Sequence, residues 1–112
     1  VAVAVFDASI LILEDGNQRI QAVDVSGNPV ARFQNGTTNI VELEQGAGIV
    51  YLDIGVEGLG YMYVLSFVND GAAAIDYRLD VYDPQGKLRL YIKHGEKPEV
   101  IAKDLKLLIA GK

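Results

Sequence analysis

Two ten-residue segments of the chain repeat the same pattern. Residues 19–28 read RIQAVDVSGN and residues 78–87 read RLDVYDPQGK, so an arginine, an aspartate and a glycine recur 59 positions apart. Repetition over a few tens of residues is typical of proteins built from similar units, each of which buries its apolar faces against the next unit. The chain is therefore predicted to contain two related structural units.

Each repeat contains a predicted hairpin turn. Asp24 and Gly27 occupy the first and fourth positions of a four-residue turn, and Asp83 and Gly86 do the same in the second repeat, with Pro84 in second place. An aspartate side chain accepts hydrogen bonds from backbone N–H groups ahead of it, proline presets φ, and glycine adopts the left-handed conformation that turns the chain. A strand is expected on each side of both turns.

Short runs of β-favouring residues, separated by turn residues, continue as far as residue 93. The predicted strands are residues 1–6, 10–13, 19–25 and 29–34 in the first unit, and 51–56, 61–68, 77–82 and 88–93 in the second. The second strand of each unit is apolar nearly throughout, a pattern typical of a strand buried on both faces. The prediction is an all-β fold of four-stranded antiparallel sheets packed face to face.

These strands divide the chain into a first unit at residues 1–34, a connection at 35–50 and a second unit at 51–93. The connection is expected to contain a short strand of its own. Residues 94–112 have two interpretations. They align with the opening strands of the first unit, which favours the start of a third unit, but their apolar residues also fit one face of a C-terminal helix.

The string EDGNQRIQAVDVSGN, residues 14–28, resembles the NHL repeat, in which an apolar strand is followed by Asp, Gly-Asn, Arg-Ile and a turn that ends in Gly. The resemblance covers residues 1–34 and 51–93. It implies four-stranded blades of a β-propeller. Because propellers have about four to eight blades, the chain would be a partial propeller. Missing sequence is the favoured source of the further blades, and other copies of the chain are the alternative.

The two units differ mainly in the loop between their second and third strands. In the first unit this is a short turn at residues 16–18, whereas the second unit has a longer loop at residues 69–76. Loops that vary between repeats are where such proteins usually bind ligands. The predicted ligand-binding residues are Asn69, Asp70, Asp76 and Tyr77.

Composition excludes several classes of partner. Fifteen acidic residues against ten basic ones give a net charge of −5, which repels nucleic acid. The chain has no cysteine, so disulfides and thiolate metal sites are excluded. No apolar run approaches the roughly 20 residues of a membrane-spanning helix, and the first residues lack the basic flank of a signal peptide. A soluble protein is expected, in a compartment that the sequence leaves open.

No catalytic site, metal site or cofactor is predicted. His94 is the only histidine, which excludes histidine-based triads and three-histidine zinc sites within one chain. Ca²⁺ bound by carboxylates near strand ends is the alternative, and the candidates are Asp7, Glu14, Asp15, Asp53, Glu57, Asp70 and Asp76. Arg19 and Arg78 are predicted to be structural, each binding backbone carbonyls or a carboxylate of the adjacent turn, with contact to a ligand as the alternative.

Three functions are compatible with these features. The favoured one is a non-catalytic binding or scaffold module that presents propeller loops to a protein or carbohydrate ligand. The resemblance also implies an enzymatic alternative, because propellers with NHL-like blades include lyases and lactone hydrolases with a metal on the propeller axis. The third function is a self-assembling structural protein that forms a closed oligomer.

Overall fold

The computed structural model describes residues 2–69 and 75–93, together with Lys103 and Lys106. This part of the chain forms two open four-stranded antiparallel sheets, termed sheet 1 and sheet 2, and the strands of each sheet follow one another in chain order. The all-β prediction is confirmed. Lys103 and Lys106 are helical and exposed; the rest of residues 94–112, including His94, lies outside the described residues. Within the described residues, no helix has the length and apolar character needed to cross a bilayer.

Sheet 1 consists of β1 (Ala2–Phe6), β2 (Ser9–Glu14), β3 (Arg19–Val23) and β4 (Ile40–Glu42). Sheet 2 consists of β5 (Ile49–Val56), β6 (Met62–Asn69), β7 (Ile75–Tyr82) and β8 (Leu88–Lys93). Tight turns join several neighbours; between β1 and β2, Asp7 and Ala8 both have left-handed φ angles of 50° and 61°. Such two-residue turns match the twist of antiparallel strands and set their register.

The fourth strand of sheet 1 is β4, and the prediction of a strand at residues 29–34 was wrong. That segment makes only isolated bridges, at Pro29 and Phe33. Proline has no backbone N–H to donate to a ladder, and three successive residues, 34–36, have positive φ and turn the chain back. The chain rejoins the sheet at Ile40, inside the predicted connection, where a short strand was expected.

The two aspartate turns have the same hydrogen-bond pattern. Oδ1 of Asp24 accepts the backbone N–H groups two and four residues ahead at 2.9 and 3.0 Å, and Oδ1 of Asp83 accepts the corresponding groups at 3.0 Å each. Gly27 and Gly86 have φ angles of 86° and 89°. The predicted turns are confirmed. The backbone N–H groups that Asp24 accepts hold the pKa of its carboxyl below its usual range.

One apolar core lies between the sheets. On β2, Leu11 and Leu13 are buried against sheet 2, while Ile10 and Ile12 on the opposite face are partly exposed. The prediction that β2 is buried on both faces is therefore correct for one face only, because sheet 2 covers a single face of sheet 1. The core consists of Leu11, Leu13, Ile20, Ala22, Phe33, Val41, Leu43, Ile49, Tyr51, Ile54, Met62, Val64 and Tyr82.

The sheets approach each other most closely where β1 lies against β5. At the other side of the molecule, the segment between β3 and β4 packs on the turn between β7 and β8. There the backbone N–H of Gln34 donates to the Gln85 carbonyl at 3.1 Å, and the buried Phe33 lies next to Gly86. These contacts hold the end of β4 close to the last two strands of sheet 2.

Candidate functional site

A groove of about 650 Å³ lies between the residues that follow β4 in sheet 1 and strands β7 and β8 of sheet 2. Its volume falls within the range of about 300–1,000 Å³ that is typical of ligand pockets. Glu44 forms part of one wall, Arg78 and Asp80 lie on the other, and Leu88 and Tyr91 come from β8. The groove is therefore built from both sheets.

The register of sheet 2 places the polar residues of this site. Arg78 pairs with Ser66 and Asp80 pairs with Val64 on the neighbouring strand, so both belong to the face of sheet 2 that packs on sheet 1. Tyr82, two residues further on, is buried on the same face. Arg78 and Asp80 therefore lie on the inner face of β7, next to the place where sheet 1 ends with its three-residue strand β4.

An ion-pair cluster joins the two sheets in the groove. The Nη2 of Arg78 donates to Oδ2 of Asp80 at 3.1 Å, and its Nη1 donates to Oε1 of Glu44 at 3.1 Å. Nε of Arg78 lies 3.0 Å from Oδ1 of Asp80, but the N–H does not point at the oxygen, so this contact is electrostatic and not a hydrogen bond. The guanidinium is thus shared by Asp80 of sheet 2 and Glu44, which lies just beyond the last strand of sheet 1.

Burial and charge act differently on the members of this cluster. The Asp80 side chain is only 2% exposed, whereas that of Glu44 is 62% exposed. Burial raises the pKa of Asp80 above its usual range, against the opposing charge of Arg78. Burial lowers the pKa of Arg78, but the charges of Asp80 and Glu44 outweigh it and raise that pKa overall. Charge outweighs burial for the pKa of Arg78 because this cation faces two carboxylates. Burial outweighs charge for the pKa of Asp80 because this carboxylate faces a single cation.

Neutral hydroxyl groups surround the cluster. The Tyr51 hydroxyl donates to the Glu44 carbonyl at 2.9 Å, and burial raises the pKa of Tyr51 to about 12. Burial also raises the pKa of Tyr82. The Ser66 hydroxyl, opposite Arg78 on β6, is fully buried and has no hydrogen-bond partner among the described residues. Both phenols therefore stay protonated at neutral pH.

The outer part of the groove is apolar and accessible. Tyr91 is 54% exposed and Leu88 is nearly as exposed. Tyr91 lies directly opposite Asp80 in the pairing of β7 with β8. A ligand in the groove would therefore meet an aromatic side chain and the charged cluster within the distance between two neighbouring strands, about 5 Å.

The predicted ligand-binding residues that the structure describes do not line this groove. Asn69 is the last residue of β6 and Asp76 is the second residue of β7, so the loop is shorter than predicted. Asp70 and the side chains of Asn69 and Asp76 lie outside the described structure. Tyr77 is half-exposed on the opposite face of sheet 2 from the groove, with its ring centroid 6.3 Å from that of Phe67.

Most carboxylates proposed for Ca²⁺ bind groups of the protein itself. Asp15 accepts the backbone N–H of Tyr51 at 2.7 Å, and Glu57 accepts two N–H groups of its own turn. Over residues 2–69 and 75–93, no three acidic or histidine side chains converge as metal ligands do. These carboxylates stabilise turns and the contact between the sheets.

The prediction that each repeated arginine binds a carboxylate or carbonyl of its adjacent turn is confirmed for Arg19 only. Arg19 donates from Nε to Glu14 Oε2 at 2.9 Å, next to the turn that it follows, and this hydrogen bond lowers the pKa of Glu14. Arg78 binds Asp80 and Glu44. The groove residues Glu44, Asp80 and Tyr91 were not predicted, although alternation of Arg78, Asp80 and Tyr82 along a strand was a visible signal that polar side chains share one face.

Comparison with known proteins finds no family model, no curated protein and no solved structure that matches the chain. The chemistry of the groove is therefore interpreted from its own residues and geometry.

Proposed function

We propose that the protein is a non-catalytic binding module and that the groove between the two sheets is its ligand site. The observation that carries this proposal is the ion-pair cluster of Glu44, Arg78 and Asp80, held between the sheets beside the accessible Tyr91. Charges fixed before a ligand arrives need little reorganisation on binding. Such a site is suited to recognising a protein or carbohydrate ligand.

The same cluster favours binding over catalysis. Asp80 and Glu44 both line the groove, and the guanidinium of Arg78 binds both. A carboxylate held in such a pair is a poor general base, because it must leave the cation before it accepts a proton from a substrate. The enzymatic alternative is a lyase or lactone hydrolase with a metal on a propeller axis. Among the described residues, no group of acidic or histidine side chains is arranged to hold such a metal.

Glycan and peptide arrays test the proposed function. We expect the purified chain to be retained by members of one array. Retention should be lost in Tyr91→Ala and kept in Val25→Ala, a control at a turn residue that is 86% exposed. No retention on either array would contradict the binding function. A stoichiometric metal in the purified protein, lost on substitution of its carboxylates, would favour the enzymatic alternative.

A partial β-propeller of NHL-like blades is the architecture that we propose for the two sheets. It is supported by their matching strand order, their equivalent aspartate turns and the close approach of the first strands, β1 and β5. The outer face of sheet 1 is apolar, with Val5 70% exposed and Val3 beside it. A further blade from adjoining sequence would cover this face, as sheet 2 covers the other.

The isolated 112-residue chain is expected to self-associate through the outer face of sheet 1, because contiguous exposed apolar surface favours association. Val5→Glu should shift the protein towards monomer in sedimentation velocity experiments. Val25→Glu, at a turn and outside the sheet, should not. A monomeric wild-type chain at all concentrations would argue against a further blade on this face. A closed oligomer of fixed size would identify other copies of the chain as its source.

A further inference from the structure

The charge of the groove disfavours an anionic ligand. One guanidinium, Arg78, lies between two carboxylates, Asp80 and Glu44. A phosphate or carboxylate would have to displace these partners and would leave the buried Asp80 without its cation, which is costly. A neutral ligand leaves the cluster intact. Glu44 and Glu42, which also lines the groove, are both exposed to water, so their remaining charge is screened and attracts cations only weakly.

The cluster offers donors and acceptors side by side. A guanidinium can only donate hydrogen bonds and an ionised carboxylate can only accept them. A hydroxyl group does both, so two adjacent hydroxyls can accept from Arg78 and donate to the exposed Glu44 at the same time. Glu44 uses one oxygen for Arg78 and retains acceptor capacity in the groove. Adjacent hydroxyl groups are therefore the ligand chemistry that matches this arrangement.

The apolar part of the groove requires a second property of the ligand. Tyr91 and Leu88 are accessible on the same strand, and Tyr91 lies opposite Asp80. A pyranose ring has a face of C–H groups and a rim of hydroxyls. Packed on the Tyr91 ring, it would direct its rim towards the charged cluster. A tyrosine side chain suits such a contact, because its ring is large, rigid and largely apolar.

We infer that the groove binds a neutral saccharide through two adjacent hydroxyl groups, held by Arg78 and Glu44, and through a C–H face packed on Tyr91. The inference rests on the proposed binding function and narrows its ligand from protein or carbohydrate to carbohydrate. A basic peptide attracted by Glu44 is the competing ligand, and the experiment includes it.

A titration of the full 112-residue chain, followed by ¹H–¹⁵N correlation spectra, tests the inference. The probes are the methyl glycosides of glucose, galactose, mannose and N-acetylglucosamine, with tetralysine and inorganic phosphate as competitors. At least one glycoside should shift the backbone amides around Arg78, Asp80 and Tyr91, and phosphate should not. Tyr91→Ala should weaken that binding roughly tenfold, Tyr91→Phe should retain it, and Val25→Ala should leave it unchanged.

The possible outcomes distinguish an error in the proposed ligand or its site from an error in the proposed binding function. Loss of glycoside binding in Tyr77→Ala but not in Tyr91→Ala would place the ligand where β6 ends and β7 begins. This result would overturn the groove as the site but would leave the binding function standing. Groove shifts with tetralysine and none with any glycoside would overturn the saccharide. If no probe binds and both arrays are also negative, the binding function itself fails. The spectra of each variant show directly whether it is folded.

Discussion

Arg78→Met is expected to lower the free energy of unfolding by about 3–5 kcal/mol at neutral pH, the usual effect of removing one partner of a buried ion pair. The substitution leaves the Asp80 carboxylate, only 2% exposed, without its cation. It also removes the contact between Arg78 of sheet 2 and Glu44, which follows the last strand of sheet 1. Urea denaturation of wild type and variant at the same pH measures the difference.

The loss in Arg78→Met should depend on pH in a defined direction. Burial already raises the pKa of Asp80 above its ordinary value of 3.8, and removal of the cation raises it further. A raised pKa contributes stability that is complete below the unfolded value and is lost as pH rises through the folded value. The deficit of the variant should therefore be smallest at acidic pH, where Asp80 is protonated in both proteins, and should grow as the pH rises through the raised pKa of Asp80 in the wild type.

Two comparisons isolate the buried pair as the cause. Arg19→Met removes the equivalent arginine of the first unit, but Arg19 and Glu14 both keep contact with water, so the loss should be much smaller. Adding Asp80→Asn to Arg78→Met removes the unpaired charge and should restore part of the stability. Equal losses for the two arginine variants, or no recovery in the double variant, would show that the charge of Asp80 is not responsible.

Gly86→Ala is expected to destabilise the protein by about 3 kcal/mol. Gly86 has a φ of 89°, where a side chain is strained by about 1–2 kcal/mol. A Cβ at this position would also lie 2.6 Å from Cγ2 of the buried Val41, and overpacking of a core typically costs about 1–3 kcal/mol. Thermal and urea unfolding would measure the sum.

The equivalent glycine of the first unit separates the two effects. Gly27 has nearly the same φ, 86°, but a Cβ there would meet nothing within 4 Å. Gly27→Ala should therefore show only the backbone strain, about 1–2 kcal/mol. In the double variant Gly86→Ala/Val41→Ala the clash is relieved, so the losses should combine to less than their sum. If Gly27→Ala and Gly86→Ala were equally harmful, contact with Val41 would not matter.

The turns and most strands were predictable because their signals are local. An aspartate three positions before a glycine suffices to predict the turns at Asp24 and Asp83, since their hydrogen bonds lie within five residues. The irregular structure of residues 29–34 was not predictable, because their sequence of apolar and polar residues resembles that of a strand. The positive φ angles at residues 34–36 and the packing of Phe33 decided otherwise.

The candidate site was much less predictable than the fold. Attention to loop length led to Asn69, Asp70, Asp76 and Tyr77, because repeats often vary where they bind ligands. The groove instead lies where β4 ends after three residues and leaves the last strands of sheet 2 uncovered. The length of β4 depends on how residues 29–39 pack on the opposite sheet, and no local pattern encodes that.

The sequence by itself determined the repeating unit: which residues turn the chain, which alternate along strands and that Arg19 and Arg78 hold equivalent places. Only the tertiary structure decided that these two arginines differ. Arg19 binds a carboxylate five residues away, whereas Arg78 binds Glu44, 34 residues away and just beyond the last strand of the other sheet. The physical reason is that short-range hydrogen bonds follow from neighbouring residues, but an ion pair between sheets forms only after apolar burial has brought the sheets together.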